Sequence, residues 1–193
     1  LNLVGLPAMV PADPADYLAP ENKARIRIDQ MLKRAGWVVQ DYKNVNLYAG
    51  EGVAVRELVT NAGPADYVLF LNRQAVGVIE AKPEGTPLTG VEWQSAMYAS
   101  GLTPEQRLMA VTVSDRLPFV FEASGSETHF TNGFDPDPRS RRLFAFPRPE
   151  TLSRALREAQ ASPEAATWRG KVRTLPELDT GGLRPAQVTA VEG

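Results

Sequence analysis

The chain has 193 residues, 43% apolar and 23% charged, with a net charge of −2, enough for one compact domain plus an extra segment, or for two very small domains. Cysteine is absent, which excludes disulfides, zinc–thiolate sites and thiol nucleophiles. No apolar run approaches the roughly 20 residues of a membrane span, and residues 1–19 lack the basic start and apolar core of a secretory signal, so a cytoplasmic chain without membrane association is expected.

In chain order, Pro11-Ala12-Asp13-Pro14-Ala15-Asp16 marks residues 1–20 as an irregular arm. A helix is predicted from about Glu21, with Ile26, Ile28, Met31 and Leu32 as its apolar stripe and Gly36 as its stop. Trp37-Val38-Val39 opens a first strand. Residues 43–64 are mixed, and Val53, Val55 and Leu58 suit a strand or a short helix. Tyr67 to Leu71 and Ala75 to Ala81 form a hairpin about Asn72-Arg73-Gln74. A Pro/Gly-rich loop, a helix over 91–100 and an apolar strand over Leu108 to Val113 come next. Pro118 to Ala123 and Glu127 to Thr131 read as a second hairpin, 132–149 as a long loop, Leu152 to Ala159 as a helix, and 161–182 as a linker. The pattern is mixed α/β with a small central sheet.

The chemistry concentrates on the first hairpin. Hydrolysis of a phosphodiester needs an activated water and charge stabilisation, and a Mg²⁺ ion held by oxygen ligands supplies both. Strand alternation puts Glu80 and Lys82 on one face, with Ala81 turned away and its carbonyl able to reach a metal. Asp66 and Glu80 are each seven residues from Arg73, so they are expected to face each other across the ladder. Two facing acids favour a bound cation, and Lys82 would orient the attacking water or offset developing charge. An isolated Glu-x-Lys is usually a surface ion pair, but Val76, Val78 and Ile79 mark this strand as buried, where unpaired charge is costly. Gln94 and Tyr98, four apart, share a helix face aimed at the same place, with Trp93 and Met97 as a competing core stripe. The lone His129 sits in no catalytic or metal-binding company, and Trp37 and Trp168 read as packing residues. Arg139, Arg141 and Arg142 could contact DNA phosphates or form a solvated loop. The slightly acidic net charge argues against a self-sufficient, tight DNA binder.

Asp66…Glu80-Ala81-Lys82 resembles the PD-(D/E)XK nuclease motif, and Gln94-x-x-x-Tyr98 resembles the QxxxY element of one branch. Ala65 separates Pro64 from Asp66, a departure at a position without chemistry. With Arg56-Glu57, Gly63-Pro64-Ala65-Asp66-Tyr67-Val68-Leu69 and Gly77-Val78-Ile79, the phrasing over most of 20–160 is similar to the endonuclease (R) subunit of type I restriction enzymes. That resemblance implies a restriction-endonuclease-like mixed sheet flanked by helices, spanning residues 1–160 with the arm. It also implies Mg²⁺ held by Asp66 and Glu80, a catalytic Lys82, and Gln94 and Tyr98 positioning the lysine or DNA. Glu21 matches an acid found on the first helix of such nucleases, and equally suits a helix-start glutamate favoured by the dipole. Leu183-Arg184-Pro185-Ala186-Gln187 resembles the Q-motif that opens a superfamily 2 helicase motor, where the glutamine reads the adenine of ATP. Residues 183–193 would then begin an ATP-driven motor, truncated before its phosphate loop. The implied partners are double-stranded DNA and the methyltransferase and specificity subunits, the latter reading the recognition sequence. Weak or no cleavage by the chain alone is expected. The competing expectations are a non-catalytic nuclease-fold module that binds DNA or a partner, and an ATP-independent repair or phage-type nuclease.

Overall fold

The structure is a computed structural model that describes residues 20–88, 101–176 and 179–192. The N-terminal arm, and the 91–100 segment with Gln94 and Tyr98, lie outside the described residues.

Helix α1 (Pro20–Arg34) carries Glu21 in its first turn and Lys33 and Arg34 in its last, matching the helix dipole at both ends. Gly36, at φ +91, ends it in the left-handed conformation that suits glycine. Its buried stripe is Ala24, Ile28 and Leu32, at an even four-residue spacing. Ile26, expected in that stripe, is 43% exposed, because its position turns it off the buried face. Burying Ile28 and Leu32 contributes about 2 kcal/mol each.

Among the described residues, seven strands form one mixed sheet in sequential order: β1 (Val38–Asp41), β2 (Gly52–Thr60), β3 (Gly63–Leu71), β4 (Gln74–Ala81), β5 (Phe119–Ala123), β6 (Thr128–Asn132) and β7 (Arg141–Leu143). The β1–β2 and β4–β5 pairs are parallel, and the other four are antiparallel. The ambiguous run at Val53 to Leu58 is therefore strand. On one side, α1 and α3 (Pro149–Ala161) join Trp37, Tyr67, Leu69, Ile79, Phe119 and Phe121 in the main core. Phe121 stacks on Phe130 with centroids 4.6 Å apart. A second cluster comprises Val53, Val55, Val68, Phe70, Val78, Leu102 and Leu117.

The β3–β4 hairpin turns through Asn72 and Arg73, both at positive φ, as a two-residue hairpin turn requires. Its register begins Leu71↔Gln74 and Phe70↔Ala75, then shifts to Leu69↔Gly77, Val68↔Val78 and Tyr67↔Ile79. Val76 is thus an extra residue, a β-bulge on β4.

Other sequence expectations give way to tertiary structure. The strand expected over Leu108 to Val113 is absent. Thr103 and Gln106 form a capping box that starts helix α2 (Pro104–Leu108), and Leu108 is 88% exposed. Only the isolated bridges Ala75↔Ala110 and Val113↔Arg116 remain of it. The 132–149 loop contains β7, whose short charged sequence hides it, though charge suits an edge strand. The stretch read as a linker contains helix α4 (Trp168–Arg173). Thr167 Oγ1 anchors it by donating to the buried Asp135 carboxylate at 2.7 Å. Trp168 is 80% exposed, unlike the buried Trp37.

Gly77 sits where β4 and β5 approach closely. A Cβ there would lie 2.4 Å from the Phe119 carbonyl oxygen. Gly77→Ala is therefore expected to destabilise the fold by about 2 kcal/mol, read as a lower urea midpoint; an unchanged midpoint would show that the two strands can separate freely.

Candidate catalytic cleft

Past Tyr67↔Ile79 the β3–β4 ladder opens. The Ala81 N–H donates to Asp66 Oδ2 at 2.9 Å, so a side chain replaces a backbone acceptor at that point. The shifted register extends to place Asp66 opposite Glu80. Lys82 Nζ donates to Glu80 Oε1 at 2.9 Å, as two side chains on one strand face can. The side chains of Asp66 and Glu80 are each 12% exposed and that of Lys82 is 18%. Asp66, Glu80, Ala81, Lys82 and Glu21 line one cleft of about 230 Å³, with Arg25, Pro64 and Pro83. Among the described residues, no three histidine or acidic side chains are clustered to hold a metal ion. A cation here would therefore rest on two carboxylates, backbone oxygen and water.

Burial raises the Glu80 pKa above the ordinary carboxylate value. The hydrogen bond from Lys82 opposes that shift and the Asp66 charge adds to it. Asp66 and Glu80 therefore repel across the cleft, each with a cation beside it. The cation on Asp66 is Arg25, whose Nη2 donates to Asp66 Oδ1 at 2.5 Å while Nη1 donates to Glu57 Oε1 at 3.1 Å. Burial acts to lower the Arg25 pKa, but Asp66 and Glu57 outweigh it and the net shift is upward. Arg25 is held in turn by the buried Tyr67, whose hydroxyl bonds the Arg25 carbonyl at 3.1 Å and Asp29 Oδ1 at 2.9 Å. Burial, with Asp29 beside it, pushes the Tyr67 phenol far above its usual range, so it stays protonated. Arg56 Nη1 completes the group on Asp29 Oδ2 at 3.0 Å.

Arg25, Asp29, Glu57 and Tyr67 are site residues that the sequence reading missed. Glu21, Arg25 and Asp29 recur every fourth residue along α1, which was the available signal. Glu57 gave a weaker one. Its φ is +54, and the β2–β3 register passes from Arg56↔Tyr67 to Leu58↔Ala65 without pairing it. Backbone of this kind in a non-glycine residue collects at functional sites. Glu122 was also missed. It pairs with Glu80 across β4–β5 and is 3% exposed, an acid in an apolar strand like Glu80 itself.

The remaining candidates lie elsewhere. Arg139, Arg141 and Arg142 each meet a carboxylate, respectively Asp137, Asp135 and Glu127, and none of them lines the cleft. Gln187 lies in helix α5 (Pro185–Glu192), where its Oε1 accepts the Arg184 N–H at 2.9 Å. His129 Nδ1 lies 3.4 Å from Ser140 Oγ. Among the described residues, no helix is long and apolar enough to cross a membrane.

Residues 41–133 match the family model for the second domain of the endonuclease subunit of the type I restriction enzyme EcoKI. The fold is similar to a structure described as a fragment of an HsdR subunit of a type I restriction enzyme from Vibrio vulnificus. That match has a TM-score of 0.51 and 20% identity, and it covers 72% of this chain and 25% of that one. The chain thus spans about a quarter of the length of that neighbour. No curated protein matches the chain.

The raised Glu80 pKa sets a pH dependence. A carboxyl that holds its proton more tightly when folded adds stability below the ordinary glutamate pKa, and that contribution is lost as pH rises through the raised value. Glu80→Gln, uncharged throughout, is expected to raise the urea midpoint at neutral pH in metal-free buffer. The gain should vanish below pH ~4. A lower midpoint at neutral pH would show that the Lys82 pair outweighs burial.

Proposed function

We propose that this chain, which resembles the endonuclease subunits of type I restriction enzymes in family-model match and in fold, is the nuclease domain of such a subunit and cleaves double-stranded DNA. The observation that carries the reading is the convergence of Asp66, Glu80 and Lys82 on one cleft, where burial and like charge leave Glu80 reluctant to ionise.

The donor set fits Mg²⁺, which favours oxygen ligands and keeps several of its waters. Asp66 and Glu80 would hold it with the Ala81 carbonyl, and Glu21 lines the same cleft. When bound, Mg²⁺ supplies a Lewis acid at the phosphate and a more acidic water. The protein's own work is electrostatic and positional. The Ala81 N–H fixes the rotamer of Asp66 by holding one of its oxygens. Lys82, on the Glu80 face, sets a positive charge where negative charge develops on the phosphate, and its ammonium can orient the attacking water. Gln94 and Tyr98 are proposed to position Lys82 or the DNA, and Arg141 and Arg142 to meet DNA phosphates after exchanging their carboxylate partners.

Residues 183–193 are proposed as the start of an ATP-driven motor in which Gln187 reads adenine, so ATP is a cofactor of the longer subunit. The methyltransferase and specificity subunits are its proposed partners, working in the cytoplasm where the DNA is. With a net charge of −2, the chain depends on those elements for its grip on DNA.

In the complete subunit assembled with its partners, Lys82→Ala is expected to lower DNA cleavage by about 10²-fold or more while ATP-driven translocation continues. Retained cleavage would leave the chain a non-catalytic module of the same fold. The 193-residue chain alone, incubated with supercoiled plasmid and Mg²⁺ at low salt, should nick it weakly or not at all; robust cutting would show that its DNA grip is self-sufficient.

A further inference from the structure

We propose that Arg25 is a placeholder cation, which occupies Asp66 and keeps divalent-metal binding weak until a DNA phosphodiester draws the guanidinium away. The inference rests on the reading of Asp66 as a metal ligand. Both oxygens of Asp66 are engaged. Oδ2 accepts the Ala81 N–H, a backbone donor fixed by the strand. Oδ1 accepts Arg25 Nη2, from a side chain that rotation can remove. A divalent ion on Oδ1 would meet the guanidinium at contact distance, and like charges there repel strongly in a partly buried cleft.

The surroundings suit an exchange. The Tyr67 hydroxyl holds the Arg25 backbone carbonyl, so the helix stays in place while the side chain moves. Glu57 keeps Nη1, which leaves the Asp66-facing arm free to pass to another anion. Arg25 lines both the Asp66–Glu80–Lys82 cleft and a neighbouring one of about 330 Å³ that holds Glu57 and Asp29, so it has somewhere to go. A phosphodiester beside the cleft offers two oxygens to the planar fork, the geometry in which guanidinium binds phosphate well. Transfer of that arm to the phosphate uncovers Oδ1. Metal and DNA therefore strengthen each other's binding, and linkage makes the two effects equal.

The test uses Mn²⁺ alone as probe, with free ion counted by electron paramagnetic resonance in solutions of the whole chain, with and without a short DNA duplex. Arg25→Gln is expected to bind Mn²⁺ about tenfold more tightly than wild type. The duplex should tighten wild type by a similar factor and Arg25→Gln by less than about twofold. Glu57→Gln, at an exposed position, leaves Arg25 wholly to Asp66 and should weaken Mn²⁺ binding about threefold; a general loosening of the site would not give the two variants opposite signs. Equal or weaker binding by Arg25→Gln, with binding abolished in Asp66→Asn, overturns the placeholder role and leaves the metal site standing. Should Arg25→Gln fail to fold, unchanged or tighter binding by Glu57→Gln overturns it instead. Wild-type affinity in Asp66→Asn would remove the metal-site reading itself, and this inference with it.

Discussion

The β-bulge at Val76 decides which side chains of the β3–β4 hairpin meet at the cleft. A two-residue turn at Asn72 and Arg73, continued without interruption, would pair Asp66 with Ile79. The extra residue moves the pairing by one, from Phe70↔Ala75 to Leu69↔Gly77, and so brings Asp66 opposite Glu80. A one-residue slip in a strand exchanges its two faces. Val76, Ile79 and Ala81 consequently belong to the main core, while Ala75 and Val78 belong to the second cluster. One inserted residue thus sets both the packing of β4 and the company that Glu80 keeps.

In the cleft formed in this way, which Glu21 also lines, the two central acids are each balanced by a cation. Two acids are faced by two cations, Arg25 on Asp66 and Lys82 on Glu80, in surroundings where an unpartnered charge is costly. That balance explains how the fold tolerates a carboxylate pair in a partly buried cleft. The rest of the network surrounds Arg25. Tyr67 holds α1 at the carbonyl of Arg25, Asp29 joins Tyr67 to Arg56, and Glu57 shares the Arg25 fork. A site of this kind depends on the seating of α1 on the sheet, through Ile28 and Leu32, as much as on the two strands that carry the acids.

The far edge of the sheet, at β7, shows the same habit of pairing. Arg139, Arg141 and Arg142 each have an acidic neighbour, and Thr167 ties α4 to Asp135. The surface near β7 therefore presents little uncompensated positive charge, in keeping with the slightly acidic chain.

The sequence by itself determined strands β1, β3, β4, β5 and β6, the burial of β4 and the shared face of Glu80 and Lys82, because each of these follows from a local period and from apolar residues around a charged pair. It also placed Asp66 opposite Glu80, by counting from Arg73. That count agrees with the structure because the bulge adds the residue that the tighter turn removes, and no local pattern announces a bulge. Helix α2 in place of a strand at Leu108, the edge strand β7 and the exposure of Trp168 were decided by capping and by tertiary packing, which override short apolar or charged runs. Arg25, Asp29, Glu57 and Tyr67 entered the site only through the tertiary structure. They are separated from Glu80 in sequence and joined to the cleft by the seating of α1, and a contact between distant segments has no period to read. What the chain declares locally is a pair of acids and a lysine; which cations guard them is settled by how a helix lies on a sheet.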